Sequence, residues 1–212
     1  KKREKSDCFL HSVFTKRHVA KAFLRNTDYT FEALELVETN RDQDINFGID
    51  GEFYIPNERS HRVTGRMGFR CRTYENLKDY CDVTITQGIE NESLGEFHKS
   101  RANTMIYTYE NEERDPEKGF ALFTVVNFYQ TVSLIKAKIL YALTREKPRD
   151  GKNQLFYAVS FKDLYEHNLL YYVGMDEQSK NERGITVLQN KLPEVVFRNC
   201  MESNHWSFFN PY

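Results

Sequence analysis

The 212-residue chain has no run approaching the roughly 18 apolar residues of a membrane-spanning helix. Its N-terminus, KKREKSDC, is basic but lacks the apolar centre of a signal peptide, so KKREK is expected to be a frayed tail or the start of a processed chain. Neither G-x-x-x-x-G-K nor G-x-G-x-x-G occurs, which leaves nucleoside triphosphate chemistry without support. Cysteine is scarce. Cys8, Cys71, Cys81 and Cys200 show no C-x-x-C spacing and no histidine at finger spacing, and they are too few for a disulfide scaffold. Reduced thiols and a cytoplasmic protein, of viral or prokaryotic origin among the sources open to it, are the expectation. Net charge is only −1, so no global basic field attracts nucleic acid, and any such partner has to be held by a local patch. Internal repeats and low-complexity tracts are absent.

Aromatic residues are plentiful: 16 Phe and 13 Tyr raise the aromatic share to 14%, enough to fill a core and line part of a surface. A chain of this length can bury roughly 70% of its unfolded surface. Apolar spacing over Asp7 to Arg25 predicts a helix that begins at Asp7. Strands are expected at 33 to 39, in a hairpin of 45 to 55 and 62 to 74 with a turn at 57 to 60, at 82 to 86, at 105 to 110 and at 120 to 128. A helix is predicted over 131 to 146, ended by KPRDGKN before QLFYAVSF. FKDLYEHNLLYYV reads as a helix or a strand, and an aromatic tail closes the chain. This order of elements predicts an α+β or α/β fold with a mixed central sheet and flanking helices, in one domain spanning 1–212.

The most informative stretch is INFGIDGEFYIPNERSHRVTGRMGFRCRTY, residues 45 to 74. Centring the turn between Glu58 and Arg59 makes facing residues sum to about 117, which sets Asp50 opposite Met67 or Gly68, with Arg70 next along the same face. One carboxylate and one cation on adjacent strands suit divalent-metal phosphodiester chemistry: the acid holds the ion, and the cation offsets charge in the transition state.

This pattern resembles the core of the PD-(D/E)XK nuclease superfamily, in which an Asp on one strand precedes an acid, any residue and Lys on the next. Asp50 in GIDGEF matches the Asp, while Gly68, Phe69 and Arg70 in MGFRCR fall at acid, spacer and Lys. Asp44 in NRDQDINFGID resembles an earlier acid leading into the strand, and DYCDVTI supplies a third strand. The resemblance implies a restriction-endonuclease-like core over about 30–130, followed by a helical and aromatic extension over about 131–212. It implies metal-dependent hydrolysis of DNA with Mg²⁺ or Mn²⁺, with Asp50, Glu52 and Arg70 as catalytic residues and Asp50, Glu52 and Asp44 as metal ligands. Two departures bear on chemistry. Gly68 removes a carboxylate, which Glu52, Asp44 or Glu35 would have to replace, and Arg70 keeps the charge of Lys without its geometry. An alternative is therefore a catalytically inactive module that binds nucleic acid, or a protein partner within a larger viral, replication or defence assembly or a homodimer. A third is a charged strand with no site at all, its charges discouraging edge-to-edge pairing.

Arg62, Arg66, Arg70 and Arg72 all fall at even-numbered positions, on one face of their strand, and like charges so aligned repel unless anions neutralise them. Phosphate of DNA or RNA would do so, and so would pairing with Asp42, Asp44, Glu52 and Glu58 across the hairpin. GEFHKSRAN adds His98, Lys99 and Arg101 to the candidate nucleic-acid residues, and Tyr54, Phe69 and Tyr74 could stack on bases or fill the core. GIDGEF also resembles the K-x-D-G motif of nucleotidyl-transferring ligases, but Gly48 stands where the nucleophilic Lys would be. His11, His18 and His61 lack companions at ligand spacing and read as structural or exposed. Cys71 and Cys81 flank the hairpin without an activating His, a poor setting for a thiol nucleophile.

Overall fold

In the strand Arg62–Arg72, Met67, Phe69 and Cys71 enter an apolar cluster with Ile106, Phe120, Phe123, Val125 and Tyr172, while Arg70 and Arg72 bond to residues of a second sheet. This is the period-two alternation of a strand with different surroundings on its two faces. The computed structural model describes residues 35–38, 46–55, 62–89, 93–114, 120–149, 151–175 and 182–202. The helix expected over 7 to 25, the turn at 57 to 60, Asp42, Asp44, Glu58, the three histidines His11, His18 and His61, Cys8 and the aromatic tail lie outside the described residues.

In chain order the elements are β1 (Glu35–Glu38), β2 (Gly51–Ile55), β3 (Arg62–Arg72), α1 (Tyr74–Asp79), β4 (Asp82–Ile89), β5 (Ser93–Leu94), α2 (Glu96–Lys99), β6 (Thr104–Glu110) and β7 (Phe120–Asn127). They continue with α3 (Phe128–Lys136), β8 (Leu143–Arg149), β9 (Lys152–Ser160), α4 (Phe161–Glu166), β10 (Leu170–Gly174), α5 (Glu182–Lys191) and α6 (Glu194–Glu202). A six-stranded sheet has the order β1-β2-β3-β6-β7-β10, with β3 and β6 parallel and its other neighbours antiparallel. A four-stranded antiparallel sheet has the order β5-β4-β9-β8. The fold is α+β, with the mixed sheet expected from the element order. The larger core cluster joins both sheets to the helices: Tyr107, Tyr109 and Leu122 from the first sheet, Val83, Ile85 and Val159 from the second, and Leu188 and Val196 from α5 and α6.

The two arms of the hairpin pair with each other, over Gly51–Ile55 and Arg62–Arg72 rather than 45–55 and 62–74, with Tyr74 opening α1. Gly51 pairs with Met67 and Glu52 with Arg66, and a bulge between Phe53 and Tyr54 shifts the register to Tyr54↔Val63. The hairpin's first arm is a strand only from Gly51; residues 46–50 form a bend held at Phe47 and Gly48 by Arg101 and Ser100 and at Asp50 by β3. DVTIT is a strand, but not the hairpin's neighbour: β4 lies in the second sheet, and the strand beside β3 is β6, reached through a crossover of α1, β4, β5 and α2. A parallel partner needs such a crossover, so sequence proximity misleads here.

The helix expected over 131 to 146 runs instead over Phe128–Lys136. Asn127 caps it by accepting the Gln130 N–H at 3.1 Å, and Lys138 at φ 59° turns the chain out of the helix. Residues 143–149 become β8 because they pair along their whole length with β9. Tertiary pairing overrides the helix preference of ALTRE. FKDLYEHNLLYYV divides: Phe161–Glu166 is helical, capped by Ser160 through the Asp163 N–H at 3.0 Å, and Leu170–Gly174 is an edge strand of the large sheet. No helix among the described residues is long and apolar enough to cross a membrane.

Candidate functional site

Asp50 is placed by the bend before β2. Gly48 at φ 55° makes the left-handed turn that a side chain resists, and its carbonyl accepts the Ser100 hydroxyl at 3.2 Å. The Arg101 N–H binds Phe47 O at 2.9 Å, and the Asp50 N–H binds Met67 O at 2.8 Å. So fixed, Asp50 reaches across to β3, where its Oδ2 accepts the Phe69 N–H at 2.6 Å. Asp50 does stand against Gly68-Phe69-Arg70. Gly68 is buried, and a Cβ there would touch Gly48 O at 3.7 Å, Met105 Cε at 3.7 Å and Ala102 Cβ at 3.8 Å, so an acid at this position would face a mostly apolar wall.

Arg70 turns inward. Its Nη2 donates to Thr86 Oγ1 at 3.1 Å and forms an ion pair with Glu96 Oε1. Glu96 begins α2, and its other oxygen accepts the Thr86 N–H at 3.4 Å. Burial by itself would lower the Arg70 pKa, but the charge and hydrogen bond of Glu96, with smaller contributions from Tyr107 and Asp50, hold it above its ordinary value. The guanidinium thus lies in the field of two carboxylates, from Glu96 and Asp50. Arg72 continues the same face, donating to Thr84 Oγ1 at 2.8 Å and to Asn76 Oδ1 at 2.8 Å. Thr84 shares a 2.9 Å hydrogen bond with the Tyr107 hydroxyl. Farther along, the Tyr109 hydroxyl donates to Asp82 O at 2.5 Å and accepts the Asp82 N–H at 3.0 Å, and the Asp82 carboxylate pairs with Arg145. Burial raises the pKa of both tyrosines, so their hydroxyls stay protonated.

The arginine row is therefore not one exposed phosphate-binding face. Arg70 and Arg72 are cross-links between the two sheets, and Arg66 pairs through Nε with Glu52 at 3.1 Å, the cross-hairpin neutralisation that the acids of β2 allowed. Arg62 starts β3, and its side chain is outside the described set. Glu52 is 8% exposed and engaged with Arg66. Val37 is registered with Glu52 and Glu35 with Tyr54, four positions beyond Asp50 on β2. Among the described residues no group of three or more His, Cys, Asp or Glu side chains forms a metal site. Reading the hairpin alone missed Glu96, Thr86, Thr84 and Asn76, since nothing near the hairpin announces partners that arrive through the crossover.

The exposed cations lie elsewhere, Arg66 on β3 and Arg101 in the segment between α2 and β6. The Asn103 N–H binds Arg66 O at 2.8 Å and Asn103 Oδ1 accepts the Arg66 N–H at 3.3 Å, so the segment carrying His98, Lys99 and Arg101 lies beside Arg66. The Arg101 guanidinium sits 4.5 Å from the Phe47 ring centre. Of the rings considered for stacking, Tyr74 is buried in the core and Phe69 packs against the second apolar cluster. Cys81 is buried, its thiol pushed up to about 12 by burial, which removes it as a nucleophile near neutral pH.

No protein-family model matches the chain, and no curated protein matches it. Among solved structures the chain is similar to that of D212, a nuclease from a fusselovirus, with a TM-score of 0.35 and 9% identity over 70% of this chain and 80% of that one. So partial an overlap assigns neither fold family nor activity; the α+β architecture rests on the strands and helices themselves.

Proposed function

We propose that the chain is a nuclease-like module that binds nucleic acid without cutting it, its hairpin centre serving the fold and its exposed cations serving phosphate. The observation that carries this reading is the division of β3: Arg70, in the Lys position of the resemblance, is tied to Glu96 inside the protein, while Arg66, exposed though paired through Nε with Glu52, lies beside the segment of the exposed Arg101, whose Asn103 N–H binds Arg66 O. With a net charge of −1, such a local patch is the means by which this chain would hold a polyanion.

Mg²⁺ or Mn²⁺ requires oxygen donors that converge and are not already occupied. Asp50 Oδ2 holds the Phe69 amide, Glu52 holds Arg66 and Glu96 holds Arg70. These three acids, as placed, do not fit a hard divalent ion, and no hydrolytic step is derived through one. The test is fluorescence anisotropy with labelled DNA and RNA across a salt series, alongside cleavage assays in Mg²⁺ and in Mn²⁺. Binding that weakens steeply with salt and falls about tenfold in Arg66→Ala/Arg101→Ala, with no cleavage, is the expected result. Metal-dependent cleavage that disappears in Asp50→Ala would replace this reading with metal-dependent phosphodiester hydrolysis.

A further inference from the structure

No Asp or Glu occurs from Lys118 to Arg145, although the chain holds 31 acids in 212 residues. Within that stretch α3 carries Tyr129, 68% exposed, and Lys136 seven positions later, two turns along on the same face. Past the helix come the exposed Lys138, then Ile139 at 62% and Tyr141 at 71% exposure. A cleft of about 470 Å³ opens there, lined in part by Phe97, Lys136, Lys138, Ile139, Tyr141 and Tyr157, with no acid in its wall. Lys136 Nζ lies 5.2 Å from the Phe97 ring centre, and Phe97 is 4.6 Å from the Tyr157 ring centre. At the other end, the Tyr129 N–H binds Asn103 O at 3.2 Å, which joins the start of α3 to the corner of Arg66 and Arg101.

We propose that α3 and the cleft beyond it form a track for single-stranded nucleic acid, running from the Arg66–Arg101 corner past Tyr129 to Lys136, Lys138 and Tyr141. This rests on the chain being a nucleic-acid binder and specifies the strandedness. Exposed rings at both ends of a pair of lysines match a polymer that offers both phosphates and unstacked bases. A duplex hides its base faces and would use the cations alone. An acidic peptide would satisfy the lysines, but it gives the exposed rings of Tyr129 and Tyr141 no bases to stack on.

The experiment measures anisotropy of labelled oligothymidylate of about 15 nucleotides and of a duplex of equal length, with polyglutamate as competitor. The single strand is expected to bind roughly tenfold or more tighter than the duplex. Tyr129→Ala/Tyr141→Ala should weaken the single strand about tenfold or more and leave the duplex within about twofold. Lys136→Ala/Lys138→Ala should reduce the salt slope by roughly 0.7 per lost phosphate contact. All three pairs are exposed, and unchanged thermal unfolding of the variants would separate lost contacts from lost fold. Single-strand binding that survives the tyrosine changes but falls with Arg66→Ala/Arg101→Ala would overturn the track and leave the nucleic-acid reading standing. Polyglutamate competing as well as oligothymidylate would overturn it in favour of an acidic protein partner. Absence of binding to either nucleic acid would remove both readings together.

Discussion

Arg70 and Glu96 stand 26 positions apart in the chain and form an ion pair that ties the hairpin strand β3 to α2, with Thr86 of the second sheet bonded to both. In the hairpin resemblance Arg70 takes the place of a catalytic Lys. In the fold its guanidinium is instead the cation between two carboxylates, those of Glu96 and, at longer range, Asp50.

Breaking that pair from one side leaves a largely buried charge without its partner. Glu96→Ala should cost about 2–4 kcal/mol in urea unfolding, while Arg70→Met/Glu96→Leu should recover most of the loss, because a well-packed apolar pair avoids the desolvation of both ions. A single-mutant loss below about 1 kcal/mol would mean that solvent screens the pair.

Gly95 lets Glu96 approach. A Cβ at this position would lie 2.3 Å from Thr86 O and 2.7 Å from Gln87 C, both backbone atoms with little freedom to yield. Gly95→Ala should therefore push α2 away from β4 and cost about 2 kcal/mol, a fall of roughly 4–8 °C in Tm for a chain of this size. An unchanged Tm would show that the two backbones can part at little cost.

Asp50 has a structural duty at Phe69 whatever its chemistry. Asp50→Ala leaves the Phe69 amide without its acceptor and should cost about 1–3 kcal/mol, with faster hydrogen exchange at that amide. Asp50→Asn keeps a carbonyl acceptor and should lose less than half as much. Equal losses in the two variants would point to the carboxylate charge rather than to the hydrogen bond.

Asp82 gives stability a pH dependence of definite sign. Burial raises its pKa, and the charge and hydrogen bond of Arg145 only partly oppose that. Between the ordinary aspartate value near ~3.9 and the raised folded value, the folded state binds more proton than the unfolded one. This contribution to stability therefore falls as pH rises through that window. Asp82→Asn should remove it, and Arg145→Ala should extend the window to higher pH. Urea midpoints measured from acid to neutral pH would show both effects; Asp82→Asn with an unaltered profile would refute the assignment.

Cys81 should resist alkylation at pH 8, since a thiol pushed up to about 12 is almost wholly protonated there and its side chain is buried. Mass-resolved labelling should find Cys81 modified only at the rate of global unfolding. Rapid modification of the native protein would mean that α1 and β4 part locally.

What the sequence by itself determined is local. Alternation and turn residues set the hairpin and its register to within one residue, and the apolar runs also located β6 and β7, because strand patterning depends on neighbours in the chain. The Asp50–Phe69 contact follows from that register. Tertiary structure alone decided that β3 pairs with β6 rather than β4, that residues 143–149 extend along β9 rather than α3, and that Arg70 meets Glu96. Each of these depends on which surfaces become buried when the two sheets close on each other, a condition that no short window of sequence contains.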